Sequence, residues 1–155
     1  MTEPRDTPGV LAPPPLIVAV HLLAGLGLDA LWPASFLQPD MQWLLAILLI
    51  APAVLLALWC LLLFRRAGTA VEPWHPSTVL VTGGPYRFSR NPIYLAMAVA
   101  FAGLACAVDS LWLLALLPVL VLALDRGVIA REEPYLQHRF GEAYRSYRAR
   151  VRRWL

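Results

Sequence analysis

The sequence predicts an all-α fold, an integral membrane bundle of about four transmembrane helices followed by a cytoplasmic interfacial C-terminal helix. Apolar residues make up 59% of the 155 residues, only 15% are charged, and the mean hydropathy is +0.62. Soluble domains of this size contain fewer apolar and more charged residues. The proline-rich residues 1–15 lack hydrophobic periodicity and predict a disordered N-terminal arm. The rest of the chain, residues 16–155, is long enough for one membrane domain.

Four apolar runs predict the membrane helices, at residues 16–32, 41–64, 92–108 and 110–124. The second run is long enough to cross a hydrocarbon core of about 30 Å, and Pro52 is expected to kink it. Only Asp109 and its neighbours separate the third and fourth runs, which predicts a tight antiparallel hairpin. Because the fourth run is short for a span, its helix is expected to continue through Asp125 and Arg126.

The distribution of arginine predicts the orientation. All 13 basic residues are arginines. They lie in the N-terminal arm, in residues 65–91 and from residue 125 onward, whereas the 33–40 loop and the turn at Asp109 contain none. By the positive-inside rule, both termini and residues 65–91 are expected on the cytoplasmic side of the cytoplasmic membrane.

The segment after residue 127 predicts an amphipathic helix. Its apolar side chains recur mostly three or four residues apart, at Ile129, Leu136, Phe140, Tyr144, Tyr147 and Val151. Gly141 is a point at which this helix can break. One interpretation is an interfacial helix on anionic lipid headgroups. The other is that the helix also closes a site against residues 65–91.

Three groups of residues converge on the predicted cytoplasmic edge. They are the Gly- and Pro-rich linker 67–85, the segment from Tyr86 to Tyr94, and the triplet 131–133. Cations, carboxylates and aromatic side chains at a membrane boundary suit a site in which a charged ligand acts on a lipophilic ligand. Arg87 and Arg90 also fit headgroup anchors of the third span. The two cysteines fit buried thiols, and no metal-site spacing is present.

Two of these segments carry a family resemblance. "LVTGGPYRFSRNPIYL" and "REEPYLQHRFGEAYRSYRARVRRW" are separated by two apolar helices. In this order they resemble the isoprenylcysteine carboxyl methyltransferases and the related phospholipid methyltransferases, over roughly residues 65–153. The resemblance implies methyl transfer from S-adenosyl-L-methionine to a lipophilic or lipid-linked acceptor at the cytoplasmic membrane boundary, with a cofactor-binding region over residues 67–155.

The resemblance also assigns site residues by position. Thr78, Leu80 and Val81 fall on the strand-like approach that lines the cofactor in the family. Tyr86 and the stretch Asn91, Pro92, Ile93 and Tyr94 fall on the segment that wraps it, and Glu132 falls on the contacting carboxylate. Arg87 or Arg90 fits as the partner of the cofactor carboxylate. We expect Arg90 and Glu132 to be the catalytic pair, and Arg90 to matter more than Arg87.

Two departures from the prenylcysteine enzymes concern the acceptor. Asn91 stands where those enzymes have His, and Val128 stands where they have an Arg that contacts the substrate. The nearest basic residues are Arg126 and Arg131. These departures argue against a prenylated protein as the substrate and leave the cofactor assignment intact.

The chemistry of the acceptor separates the remaining alternatives. A carboxylate is already ionised at pH 7 and needs no base, which favours it over a phospholipid amine or a thiol. Two other classes remain open at this stage: a sterol-type membrane reductase that binds a nicotinamide dinucleotide, and a non-enzymatic membrane protein. The expected partners are the lipophilic substrate and membrane lipids, without nucleic acid or metal.

Overall fold

The computed structural model describes residues 7–72 and 75–155, which form helices and connecting turns without a β-strand. The helices are α1 (Pro14–Leu31), α2 (Pro39–Ala67), α3 (Pro92–Ala107), α4 (Leu111–Leu124) and α5 (Ala130–Arg150). A 3₁₀-helix covers Gly84–Arg87. The prediction of an all-α fold is confirmed.

Three helical stretches are long and apolar enough to cross a membrane: Pro14–Leu31, Pro39–Ala67 and the continuous helix Leu111–Arg150. The apolar α3 is shorter, at 16 residues. α1 and α2 expose many large apolar side chains, as surfaces that face lipid do. We place α5 outside the spans, because eight of its 21 residues are charged.

α4 passes into α5 without a loop, as expected from its shortness. A π-helical turn, Asp125–Ile129, joins the two helices. Further along, Gly141 has φ +53° and ψ −124°, so the chain bends there and α5 consists of two helical pieces. Glycine tolerates this conformation because it has no Cβ. The predicted break at Gly141 is therefore confirmed.

Hydrogen bonds at one end of the bundle fix the arrangement of the helices. The backbone N–H groups of Phe36 and Leu37 both donate to Asp109 Oδ1 at 2.9 Å. The N–H of Leu111 donates to the carbonyl of Ala34 at 2.8 Å. The α1–α2 loop and the α3–α4 turn therefore share one end. Residues 68–72 and 75–91, the π-turn and α5 lie at the other end, which we call the site end.

The helices pack in pairs. α2 packs against α3, α1 packs against α4, and α3 and α4 form the predicted hairpin. The core includes the fully buried Phe101, Leu113 and Leu120. Cys60 and Cys106 are buried free thiols, as expected.

The described part of the predicted disordered arm makes defined contacts. α1 begins at Pro14, and the N–H of Leu11 donates to the carbonyl of Gly127 at 3.1 Å. The Arg131 guanidinium donates to the carbonyl of Gly9 at 3.0 Å. These contacts place Gly9 and Leu11 beside the π-turn and the start of α5. The disordered arm stays a prediction. Residues 1–6 lie outside the described residues.

Candidate active site at one end of the bundle

A cavity of about 630 Å³ lies at the site end. This volume is within the range of sites for small organic ligands, roughly 300–1,000 Å³. Its walls come from the end of α2, the connecting residues 70–72, 77 and 79–81, the 3₁₀-helix, the starts of α3 and α5, and Pro8, Pro14 and Pro15. Most of the lining is apolar. The charged and phenolic groups include Tyr86, Arg90, Tyr94, Glu132 and Glu133.

Glu132 and Tyr94 form a hydrogen-bonded pair in the cavity wall. The Tyr94 hydroxyl donates to Glu132 Oε1 at 2.7 Å. Burial raises the pKa of Glu132 to about 7, the hydrogen bond from Tyr94 opposes this rise, and the charge of Glu133 adds to it. Glu132 therefore exists in both protonation states near neutral pH. It can accept a proton or attract a cation there.

Arg90 and Glu133 form a second, ionic pair. Arg90 Nη2 donates to Glu133 Oε1 at 2.8 Å, and both side chains are more than nine-tenths buried. Arg90 Nε and Nη1 are also buried but have no hydrogen-bond acceptor among the described residues. Because an unpaired buried donor is costly, these two N–H groups favour an anion beside them.

Tyr86 forms part of the cavity wall and is held from two sides. Its ring contacts that of Phe64 edge-to-face, with the ring centroids 5.7 Å apart. Its carbonyl accepts a hydrogen bond from the Tyr147 hydroxyl at 2.7 Å. Burial raises the pKa of Tyr86, so its hydroxyl stays protonated. A rigid aromatic face thus borders the cavity.

The Asn91 side chain bonds a distant part of the chain. Asn91 occupies the N-cap position of α3 and Pro92 the first helical position, but the Asn91 side chain makes no capping hydrogen bond. Instead, Asn91 Nδ2 donates to the carbonyl of Arg153 at 2.9 Å. The side chain therefore ties the start of α3 to the segment that follows α5.

The structure brings together most of the residues assigned by resemblance. Those that line the cavity are Leu80, Val81, Tyr86, Arg90, Asn91, Ile93, Tyr94 and Glu132. Thr78, Arg87 and Pro92 do not line it. The Thr78 hydroxyl donates to the carbonyl of Gly68 at 3.3 Å, Arg87 is exposed, and Pro92 is buried at the start of α3. In the described residues, the approach 75–83 is irregular chain rather than a strand.

Sequence reasoning did not find the partners of Arg90. The side chains of consecutive helical residues point about 100° apart, so the Glu133 side chain lies in a different environment from that of Glu132. Glu133 is also bonded by Arg153, which lies 20 residues further along. No local spacing signals this contact, because it depends on the chain turning back after α5 ends at Arg150.

Neither Arg126 nor Arg131 is placed to replace the acceptor contact of the prenylcysteine enzymes. Val128 is fully buried in the core. The Arg126 side chain is 78% exposed, and Arg131 is bonded to the carbonyl of Gly9. Neither arginine is part of the cavity wall. The departure seen in the sequence is therefore not compensated by a neighbouring residue.

The class of this protein follows from its sequence family. Residues 41–143, about two thirds of the chain, match the family described as phospholipid methyltransferase. The chain belongs to the phospholipid methyltransferase family. The resemblance found in the sequence is confirmed, and a methyltransferase acting on a lipid-type acceptor is the class that this family defines.

Two bacterial relatives show similarity to parts or most of the chain. An uncharacterised protein of Haemophilus influenzae is 49% identical over 37 residues, 24% of this chain. The nickel-cobalt-cadmium resistance protein NccN of Alcaligenes xylosoxydans xylosoxydans is 28% identical over 155 residues, 87% of this chain. The matches cover 59% and 66% of those proteins. No solved structure matches. Among residues 7–72 and 75–155, no group of three His, Cys, Asp or Glu residues could hold a metal.

Proposed function

We propose that this protein transfers a methyl group from S-adenosyl-L-methionine to a lipophilic acceptor at the cytoplasmic face of the membrane. One observation carries the proposal. A single cavity combines an apolar wall from α2 with Arg90, Tyr94, Glu132 and Glu133. An apolar acceptor and a charged methyl donor require this combination of surfaces.

The residues of the cavity fit the charges of this cofactor. It carries a carboxylate, an ammonium and a sulfonium group. The unpartnered Nε or Nη1 of Arg90 would donate a charged hydrogen bond to the carboxylate. Glu132 would hold the ammonium or the ribose hydroxyls. Tyr86 or Tyr94 would offer an aromatic face to the adenine or the sulfonium.

The protein contributes mainly position to the reaction. The bound cofactor supplies an electrophilic methyl group, and its transfer leaves S-adenosylhomocysteine. No covalent enzyme intermediate is needed, so the rate depends on the alignment of donor and acceptor. Tyr94 holds Glu132 through its hydroxyl, and Glu133 holds Arg90. These two pairs keep the groups that bind the cofactor fixed.

We infer that the acceptor arrives from the bilayer between α1 and α2. α1 packs against α4 and α2 against α3. Pro14 and Pro15 line one side of the cavity, and Leu58 and Leu62 of α2 line another. Leu58 and Leu62 are also about half exposed, next to other exposed apolar residues of α2 such as Leu55 and Trp59. The apolar wall is therefore continuous with the lipid-facing surface.

Two acceptor classes fit the site. A carboxylate needs no base and remains our first candidate. A phospholipid amine is the second candidate, because the pKa of Glu132 near 7 provides a base that sequence reasoning did not find. In that case Glu132 accepts the proton from the amine instead of pairing with the cofactor ammonium. The description of the family also supports this second candidate.

Product chemistry distinguishes the two acceptors. Nanodisc-embedded protein is incubated with methyl-tritiated S-adenosylmethionine and either phosphatidylethanolamine or a long-chain carboxylic acid. A methyl ester releases tritiated methanol in mild alkali, whereas an N-methyl group survives. We expect Glu132→Gln to abolish transfer and Glu142→Gln to preserve it, because Glu142 is exposed and pairs with Arg145. Absence of tritium in both lipids would contradict these two assignments.

A further inference from the structure

The chain turns back over the site after α5 ends. Val151 is extended, with φ −120° and ψ 131°. Residues 151–154, which we call the return segment, then lie along the loop before α3. The carbonyl of Arg152 accepts from the N–H of Arg90 at 3.0 Å, and the carbonyl of Arg153 accepts from Asn91 Nδ2 at 2.9 Å. The return segment therefore holds the backbone that carries Arg90.

The return segment also contacts the π-turn. Trp154 Nε1 donates to Asp125 Oδ1 at 3.1 Å, and Arg153 Nη1 donates to both Asp125 carboxylate oxygens at 3.1 and 3.2 Å. The π-turn precedes Glu132 and Glu133 on the same continuous helix. The segment thus links the loop before α3 to the start of α5, the two elements that supply the charged groups of the site.

The Arg153 guanidinium occupies the centre of this link. Its Nε donates to Glu133 Oε1 at 3.0 Å and its Nη2 donates to Glu133 Oε2 at 2.6 Å. Together with the bonds to Asp125, all three guanidinium nitrogens are in use. A lysine ammonium restores the charge here but not the planar fork, so it cannot hold both carboxylates in the same way.

Glu133 Oε1 is shared by two arginines. It accepts from Arg153 Nε and from Arg90 Nη2. Arg153 fixes both oxygens of Glu133, and the fixed carboxylate in turn fixes the Arg90 side chain. Nε and Nη1 of Arg90 remain without an acceptor among the described residues. Their direction therefore depends on Arg153, although Arg153 is not part of the cavity wall.

From these contacts we infer that Arg153 is a positioning residue for the cofactor site and acts through Glu133 on Arg90. This inference rests on the proposed function. It adds to the site a segment that lies beyond residues 41–143, the part of the chain that matches the family.

The electrostatics give the inference a specific signature. Glu133 contributes to the raised pKa of Glu132, and Arg153 compensates the charge of Glu133. The ionisable groups that face Glu132 or share its cavity are Arg65, Glu72, Tyr86, Arg90, Tyr94, Glu133, Tyr135, Tyr144 and Tyr147. All of these residues are retained when Arg153 is replaced, so the charge removed is that of Arg153. Loss of the Arg153 charge should therefore raise the pH at which Glu132 ionises.

Calorimetric titration of S-adenosylmethionine between pH 6 and 9 tests this inference on nanodisc-embedded protein. For Arg153→Gln we expect affinity at pH 7 to fall about tenfold and the pH midpoint of binding to rise by about half a unit. For Arg153→Lys we expect the midpoint to return, because the charge is restored, and the affinity to stay reduced, because the fork is lost. Arg150→Gln is the matched control. The exposed Arg150 guanidinium donates to the carbonyl of Ser146. Its replacement should change neither the affinity nor the pH midpoint of binding.

The outcomes separate this inference from the proposed function. If the wild type binds S-adenosylmethionine and Arg153→Gln binds it with the same affinity and the same pH midpoint, the inference is overturned and the proposed function stands. No binding by folded wild-type protein overturns both. If Arg153→Gln does not fold, Arg153→Lys decides the matter, since unchanged affinity in that variant also overturns the inference.

Discussion

Two neighbouring carboxylates, Glu132 and Glu133, have different environments in this site. Glu133 is bonded by Arg90 and Arg153, whereas Glu132 is bonded by a neutral Tyr94 hydroxyl. A fixed ion pair suits positioning. A carboxyl group with a pKa near 7 suits the exchange of a proton or the attraction of a cation. The difference arises because adjacent side chains on a helix point about 100° apart.

The raised pKa of Glu132 makes stability depend on pH. Between the ordinary value of 4.5 and the folded value of about 7, the folded state keeps a proton that the unfolded state releases. The contribution to the free energy of unfolding is therefore complete below about pH 4.5 and is lost as pH rises through about 7. We expect the Tm of the wild type to fall relative to Glu132→Gln between pH 5 and 8. A constant difference in Tm would contradict the assignment.

Arg87 and Arg90, the two arginines of the segment before α3, should differ in importance. Arg90 lines the cavity with two unpartnered donors, whereas Arg87 is exposed and does not line it. We expect Arg90→Gln to weaken S-adenosylmethionine binding at least about tenfold, the value of one lost charged hydrogen bond. Arg87→Gln should change the affinity for S-adenosylmethionine by less than about twofold. Equal losses in calorimetric titration would contradict this ranking.

At the scale of elements, the sequence predicted the helices well and their connections less well. Long apolar runs specify membrane helices because hydrocarbon accepts no unpaired backbone, so α1–α4 begin and end within a few residues of the predicted runs. The contacts of Leu11 and Arg153 depend on where distant segments meet. Composition and periodicity do not encode such contacts, so the sequence alone predicts neither of them.

The close approach of α2 and α3 depends on Gly103. A Cβ at this position would lie 2.6 Å from Ile50 Cγ1 and 3.2 Å from the Ile50 backbone nitrogen. Since backbone cannot move aside cheaply, we expect Gly103→Ala to destabilise the protein by about 1–3 kcal/mol. Gly27→Ala is the matched control, because a Cβ there meets nothing within 4 Å. Thermal unfolding measures both, and equal Tm values would contradict the packing argument.

At the scale of the whole molecule, the loops divide between two ends. The α1–α2 loop meets the α3–α4 turn at one end, and the cavity lies at the other. The arginine distribution predicts that the cavity end faces the cytoplasm. A methyl donor that is soluble and charged would then reach the site from the cytoplasm, while the acceptor would come from the bilayer.

Cysteine labelling tests this orientation. Gln38 lies in the α1–α2 loop and Phe88 lies at the site end, and both are exposed. We expect a membrane-impermeant maleimide to label Gln38→Cys in intact cells and Phe88→Cys only after permeabilisation. Cys60 and Cys106 are buried and provide the background measured in the wild type. The reverse pattern of labelling would contradict the orientation.

The central claim is that the cavity binds S-adenosylmethionine through Arg90 and Glu132. Its most direct test is calorimetric titration of S-adenosylmethionine and S-adenosylhomocysteine into nanodisc-embedded wild type, Glu132→Gln and the control Glu142→Gln. We predict saturable binding of both ligands to the wild type and the control, and loss of binding in Glu132→Gln. Folded wild-type protein that binds neither ligand but retains a nicotinamide dinucleotide would contradict the claim.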